Sequence, residues 1–154
     1  MYQTLIFLHS IFRWLVLLSL FYAIFRSYKG LKAKLVFTKA DNTVRHLTAT
    51  VAHIQLMLGI ILYSQSPAVK HFFATVNETG SITEPVFFGV IHIGIMLSAI
   101  VIITIGSALA KRKPTDQEKF KTMLVWFSIA LTLIFLAIPW PFSPLVQRPY
   151  LRPL

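Results

Sequence analysis

The sequence predicts an all-α fold, a polytopic membrane protein built as an antiparallel bundle of four transmembrane helices. Hydrophobic residues make up 56% of the 154 residues and charged residues only 13%, well below the roughly 25% that is usual in soluble domains. The apolar residues also form blocks close to or above the ~18 residues expected of a spanning helix. The blocks cover residues about 5–25, 47–64, 86–110 and 122–139. With short connections and no internal repeat, residues 1–154 are expected to form one domain.

The first two blocks have recognisable ends. No Lys or Arg precedes the first block, and the basic segment "RSYKGLKAK" follows it, so we expect a retained span rather than a cleaved signal peptide. The second block follows "FTKADNTVRH", where Thr38, Asp41 or Asn42 can cap a short helix. It stops at the turn-forming segment "SQSPAVK".

The third and fourth blocks are bounded by prolines. Between the second and third blocks, residues 65–85 include a stretch "HFFATV" expected at the membrane surface and a weak glycosylation sequon, "NET". The third helix is predicted to begin after Pro85, a favoured position at a helix start. The fourth is predicted to end at "AIPWPFSP", because proline cannot continue a helix.

The net charge of +10 is distributed in a way that predicts orientation rather than nucleic-acid binding. Eleven basic residues fall in the segments 26–46 and 111–121, against three in the segments on the other side. The positive-inside rule therefore predicts both termini on the non-cytoplasmic side of the cell inner membrane, with the basic loops facing anionic lipid headgroups. The eleven are Arg26, Lys29, Lys32, Lys34, Lys39, Arg45, Lys111, Arg112, Lys113, Lys119 and Lys121, and the three are Lys70, Arg148 and Arg152.

Three histidines, His9, His53 and His92, fall inside the predicted spans. A single histidine in a span often only bonds a neighbouring helix, but three in a small protein favour a haem or metal site. Counted at 1.5 Å per residue, His9 and His92 lie roughly 9 Å outward of the midplane, and His53 lies about 4 Å to the cytoplasmic side. Two histidines at one level can bind one haem iron from opposite faces, but this count does not decide which two pair.

Arg13 is the only charged residue well inside a span, and it shares a helix face with His9. No span carries Asp or Glu, and a buried guanidinium without a partner is costly. A haem propionate would suit its forked donors. The alternative is that Arg13 snorkels toward backbone carbonyls or water.

Enzyme chemistry has little support in the sequence. Without a carboxylate in any span there is no acid–base pair, and no phosphate loop, nucleophile elbow or zinc-protease motif is present. The absence of cysteine excludes disulfides and thiolate metal sites. We therefore expect an electron carrier or an accessory subunit rather than a stand-alone enzyme.

Five stretches of the sequence carry a resemblance to a known family. The chain resembles, over nearly its whole length, the small four-span membrane proteins of Bacteroidetes that are commonly labelled "cytochrome B". The resemblance implies b-type haem and picks out His9, Arg13, His53 and His92. The stretches are "LHSIFRWLVLL", "FTKADN", "AHIQLMLGIILYSQSP", "IHIGIMLSAIVIITIGSALAKR" and "AIPWPF".

Together these observations lead to two functional hypotheses. The first is a b-type haem protein that passes electrons within the membrane, with His92 as one axial ligand, His9 or His53 as the other, and Arg13 bound to a propionate. Redox partners or other subunits of a membrane complex would then contact it. The second is a non-haem accessory or scaffold subunit, whose histidines are structural or bind copper or zinc.

Overall fold

A computed structural model describes residues 1–75 and 83–151, which form five helices and, among these residues, no strand. The sequon at 77–79 and Arg152 lie outside the described residues. The fourth helix, Glu84–Arg112, includes one π-helical turn at Phe87–Ile91. The helices are α1 (Tyr2–Lys32), α2 (Lys39–Gln65), α3 (Pro67–Ala74), α4 (Glu84–Arg112) and α5 (Asp116–Ala137).

Helices α1, α2, α4 and α5 are each long and apolar enough to cross a membrane. The predicted all-α bundle of four spanning helices is confirmed, and the chain is a multi-pass membrane protein. Large apolar side chains cover its outer surface, as expected of a bundle in lipid; Leu18, Met57 and Leu136 are more than 60% exposed.

The helices extend past the apolar blocks at one end of the bundle. Helix α1 continues to Lys32, and α2 begins at Lys39 as one continuous helix, without the separate short helix expected there. The Thr38 hydroxyl caps α2, and the Asp41 carboxylate bonds back to the Thr38 amide at 2.9 Å. Such a capping box satisfies orphan amides at a helix start, so the polar residues before the second apolar block belong to α2.

Neighbouring helices in the bundle are antiparallel. Helix α1 packs against α2 and α5, and α4 also packs against both of them. At one end Arg45 donates to the Ser107 carbonyl at 3.0 Å, and at the other the Tyr63 hydroxyl donates to the Gly89 carbonyl at 2.8 Å. These two hydrogen bonds join opposite ends of α2 and α4.

Small residues allow the helices to approach closely. A Cβ atom added at Gly106 would lie 2.3 Å from the Trp126 Cβ, and one at Gly30 would lie 2.5 Å from the Phe120 ring. Small residues at such contacts are the usual means of helix packing in membranes. The fully buried core between the helices includes Leu20, Ala52, Ile103, Phe127 and Ala130.

The two ends of the bundle differ in character. We call the end formed by the C-terminus of α1, the start of α2, the end of α4 and the start of α5 the basic end. The opposite end, with the starts of α1 and α4 and the ends of α2 and α5, contains a cavity lined by residues of all four long helices, and we call it the cavity end.

Candidate functional site

A cavity of about 410 Å³ lies between the four long helices at the cavity end. Its volume is within the range of roughly 300–1,000 Å³ found for small-molecule and cofactor sites. The structure brings His9, Arg13 and His92 together around this cavity, whereas His53 is not part of its wall. Most of the lining is apolar and includes Ile6, Leu56, Ile60, Met96, Ile100 and Ile134.

The imidazole of His9 projects from α1 toward α2. Its Cε1 would lie 3.3 Å from a Cβ atom added at Gly59, so a glycine makes room for the ring. The Gln55 amide nitrogen lies 3.0 Å from the His9 carbonyl and 3.3 Å from the His9 Nε2. Because an amide nitrogen only donates, Nε2 accepts in neutral His9 and Nδ1 carries the proton.

His92 begins the α-helical part of α4, directly after the π-helical turn. Its Nδ1 lies 2.9 Å from the carbonyl oxygen of Ala137, the last residue of α5. A carbonyl can only accept, so Nδ1 donates, and Nε2 keeps its lone pair in the neutral ring. An imidazole held through Nδ1 by a backbone carbonyl is the common arrangement of a histidine that binds metal through Nε2.

Arg13 finds a backbone partner in the segment that follows α5. Its Nη2 donates to the carbonyl oxygen of Tyr150, which also accepts from the Trp14 indole at 3.1 Å. The guanidinium lies 5.6 Å from the Trp14 ring centroid and 5.9 Å from that of Trp140, within the range of cation–π attraction. The positive charge is therefore met by a carbonyl dipole and two aromatic faces.

Four buried polar atoms around the cavity have no hydrogen-bond partner among the described residues. They are the Nδ1 of His9, the Oγ of Ser10, the Nε of Arg13 and the Oε1 of Gln55, and all four residues line the cavity. Buried polar groups are normally satisfied. Unpartnered N–H donors and an amide acceptor are therefore available to a molecule bound in the cavity.

His53 has a different environment. It is exposed on the outer surface of the bundle, with its Nε2 3.1 Å from the Thr104 hydroxyl oxygen. That hydroxyl donates its proton to the Ile100 carbonyl at 2.7 Å, so the imidazole is the donor to Thr104. The contact is therefore an interhelical hydrogen bond between α2 and α4.

The histidines do not form a multi-ligand metal cluster. Within the described part of the chain, no three His, Cys, Asp or Glu side chains lie together as ligands for one ion. Structural zinc sites use four protein ligands and catalytic ones three. Two histidines suit a haem iron instead, because the macrocycle supplies the other four nitrogen ligands.

Residues after α5 complete the site. Arg148 pairs with the Glu84 carboxylate, and its guanidinium lies 5.5 Å from the Phe88 ring centroid. Both Arg148 and Pro149 line the cavity. Sequence reasoning did not find the contribution of this segment, or of Ser10 and Gln55 to the cavity. The signal was present for Gln55, a polar residue inside a predicted span.

Comparisons of the chain with protein-family models, with curated proteins and with solved structures found no match. The resemblance to the family labelled "cytochrome B" therefore stays a prediction.

Proposed function

We propose that the protein is a b-type haem carrier that passes electrons within the cell inner membrane, with His9 and His92 as the axial ligands. The observation that carries this proposal is that two imidazoles from different helices line one cavity within the membrane-spanning bundle. His53 lies outside that cavity and bonds Thr104, which favours the His9–His92 pair among the three pairs that the sequence allows.

The residues around the cavity fit a haem. His92 is held through Nδ1, leaving Nε2 for iron, and the 3.3 Å contact of Gln55 to His9 Nε2 is long enough to be given up readily. The unpartnered Nε of Arg13 suits a propionate oxygen, and the apolar lining suits the macrocycle. When bound, the haem supplies an iron that takes up and releases one electron.

The orientation is part of the same proposal. The segments with the eleven basic residues of the positive-inside count lie at the basic end of the bundle. With that end in the cytoplasm, the cavity and both termini lie toward the non-cytoplasmic side. Electron exchange would then take place near that surface, with a redox partner or another subunit of a membrane complex.

The experiment that tests this function is an absorption spectrum of the protein purified from cells supplied with haem. We expect a low-spin b-type spectrum that is lost in His9→Ala and in His92→Ala while the protein still inserts. His53→Ala is the matched control and should retain the spectrum. A colourless wild-type protein would refute haem binding, and loss of the spectrum only in the His53 variant would refute the assigned pair.

A second function is favoured by a specific observation. Each of the three spanning histidines already contacts a group of the chain itself, namely Gln55, Ala137 or Thr104. This pattern also suits an accessory or scaffold subunit of a larger membrane complex, in which the histidines join helices. In that case the purified protein is colourless, and the histidine variants lower its unfolding temperature without any spectral change.

A further inference from the structure

A second cavity, of about 270 Å³, lies at the basic end and has no connection with the proposed haem site. It is formed where the start of α2 meets the end of α4 and the first turn of α5. We call it the basic pocket. Its wall consists of Phe37, Thr38, Lys39, Asn42, Lys111 and Lys119.

Three lysines from three different helices surround the basic pocket. Lys119 lies 3.6 Å from the Asp116 carboxylate. Neither Lys39 nor Lys111 pairs with a carboxylate among the described residues. Three lysines and no carboxylate therefore line the pocket, which favours an anionic ligand.

Asp41, which directly precedes Asn42 of the pocket wall, does not neutralise the lysines. Asp41 is 2% exposed and is held by the Arg26 guanidinium at 2.5 Å and by the Thr38 hydroxyl at 2.6 Å. The start of α2 adds further donors. The side-chain Oδ1 of Asn42 accepts from Arg45 at 3.1 and 3.0 Å, which leaves the side-chain NH₂ of Asn42 to donate elsewhere.

An apolar surface adjoins the basic pocket. The centroid of the Phe37 ring lies 4.9 Å from that of the Phe120 ring and 5.6 Å from the Lys119 Nζ. Val36 is 71% exposed directly before it in the chain. A site that joins lysines to an exposed apolar segment at one end of a membrane-spanning bundle matches a phospholipid, with its phosphate in the pocket and its acyl chains along the helices.

We propose that the basic pocket binds the phosphate group of an anionic phospholipid. This binding holds α2, α4 and α5 together at the basic end, because the phosphate bridges one lysine from each helix. It does not depend on haem, and it is more specific than the general attraction of basic loops for an anionic membrane.

Native mass spectrometry of the detergent-solubilised full chain tests the proposal by measuring affinity for phosphatidylglycerol, phosphatidylcholine and inorganic phosphate. The test variant is K39Q/K111Q/K119Q. Each lysine near an anionic lipid surface contributes roughly a fivefold effect, so this variant should bind phosphatidylglycerol about a hundredfold more weakly. The matched control removes three exposed charges at the same end, Lys29, Lys32 and Lys121. These lysines lie outside the pocket wall, so their removal should cost much less affinity than the test variant loses.

Each outcome decides the proposal. Equal losses in the test and control variants would overturn it in favour of diffuse attraction. Equal affinity of the wild-type protein for phosphatidylglycerol and phosphatidylcholine would also overturn it, as would inorganic phosphate that binds as tightly as the lipid. If the triple variant fails to fold, K39Q/K111Q is the replacement, because neither lysine pairs with a carboxylate among the described residues. Its expected loss is about twentyfold.

Discussion

Replacing Arg13 by leucine removes the stabilising contacts of the guanidinium and also removes the free-energy cost of placing its charge in the membrane. The lost hydrogen bond of a charged donor to Tyr150 contributes about 1.5–3 kcal/mol. The two cation–π contacts, to Trp14 and Trp140, add about 0.5–1 kcal/mol each. Against this, removing a charge from a span relieves about 2.5–3.5 kcal/mol. The free energy of unfolding should therefore change by an amount between a rise of about 1 kcal/mol and a fall of about 2.5 kcal/mol, and insertion should be retained.

The local effect on the segment after α5 should be larger than the global one. Arg13 and Trp14 both donate to the Tyr150 carbonyl, so Arg13→Leu removes the charged anchor of that segment. A loss of about 1.5–3 kcal/mol at the anchor corresponds to roughly 10- to 150-fold more frequent opening. Hydrogen–deuterium exchange of residues 143–151 in the detergent-solubilised protein measures this directly.

Two control variants sharpen that experiment. Trp14→Phe removes only the neutral hydrogen bond at 3.1 Å and should accelerate exchange about 2- to 10-fold. Arg13→Lys should rescue exchange in part, since an ammonium group can donate to the Tyr150 carbonyl but lacks the planar guanidinium that lies against the Trp14 and Trp140 rings. Unchanged exchange in Arg13→Leu would refute the anchor. If haem is bound, Arg13→Leu should also speed its loss to apomyoglobin, through the missing propionate contact.

Three further predictions concern packing, the basic end and topology. Gly106→Ala should lower the free energy of unfolding by about 1–3 kcal/mol because its Cβ would meet Trp126. The control Gly94→Ala places its Cβ in open space and should be neutral or stabilising by up to about 1 kcal/mol. Equal effects of the two variants on unfolding in detergent would contradict the close approach of the helices at Gly106. Asp41→Asn should destabilise by about 1–3 kcal/mol, since it weakens both the ion pair to the half-buried Arg26 and the helix cap; an unchanged unfolding midpoint would contradict it. A reporter fused to the C terminus should be active only outside the cytoplasm, and cytoplasmic activity would overturn the proposed orientation.

The spans could be predicted from the sequence because hydrocarbon demands long apolar runs, and those runs are visible in composition alone. The helix ends could not be predicted in the same way. Helix α2 starts at Lys39, well before its apolar block, because the capping box of Thr38 and Asp41 stabilises a helix in polar surroundings. The hydropathy of the sequence predicts which residues lie in the lipid, whereas capping residues determine where the helix begins.

Depth along a helix could also be predicted, but rotation about its axis could not. Counting residues placed His9 and His92 at one level, and in the structure both line the same cavity. The same count did not exclude His53 as an axial ligand of the haem iron. His53 and Gln55 are two positions apart, about 200° around the helix, so only one of them can face the interior. Helix packing turns Gln55 inward and His53 outward.

The prolines after α5 explain why His92 and Trp140 are oriented as they are. In a continuing helix the Phe135 carbonyl would bond the amide of residue 139, and the Ala137 carbonyl would bond that of residue 141. Both positions are proline and have no N–H. The Trp140 indole donates to Phe135 at 2.8 Å, and His92 donates to Ala137 at 2.9 Å. The motif "PWP" thus ends the helix and leaves a carbonyl acceptor for the imidazole, so the orientation of His92 depends on a helix end 45 residues away in the chain.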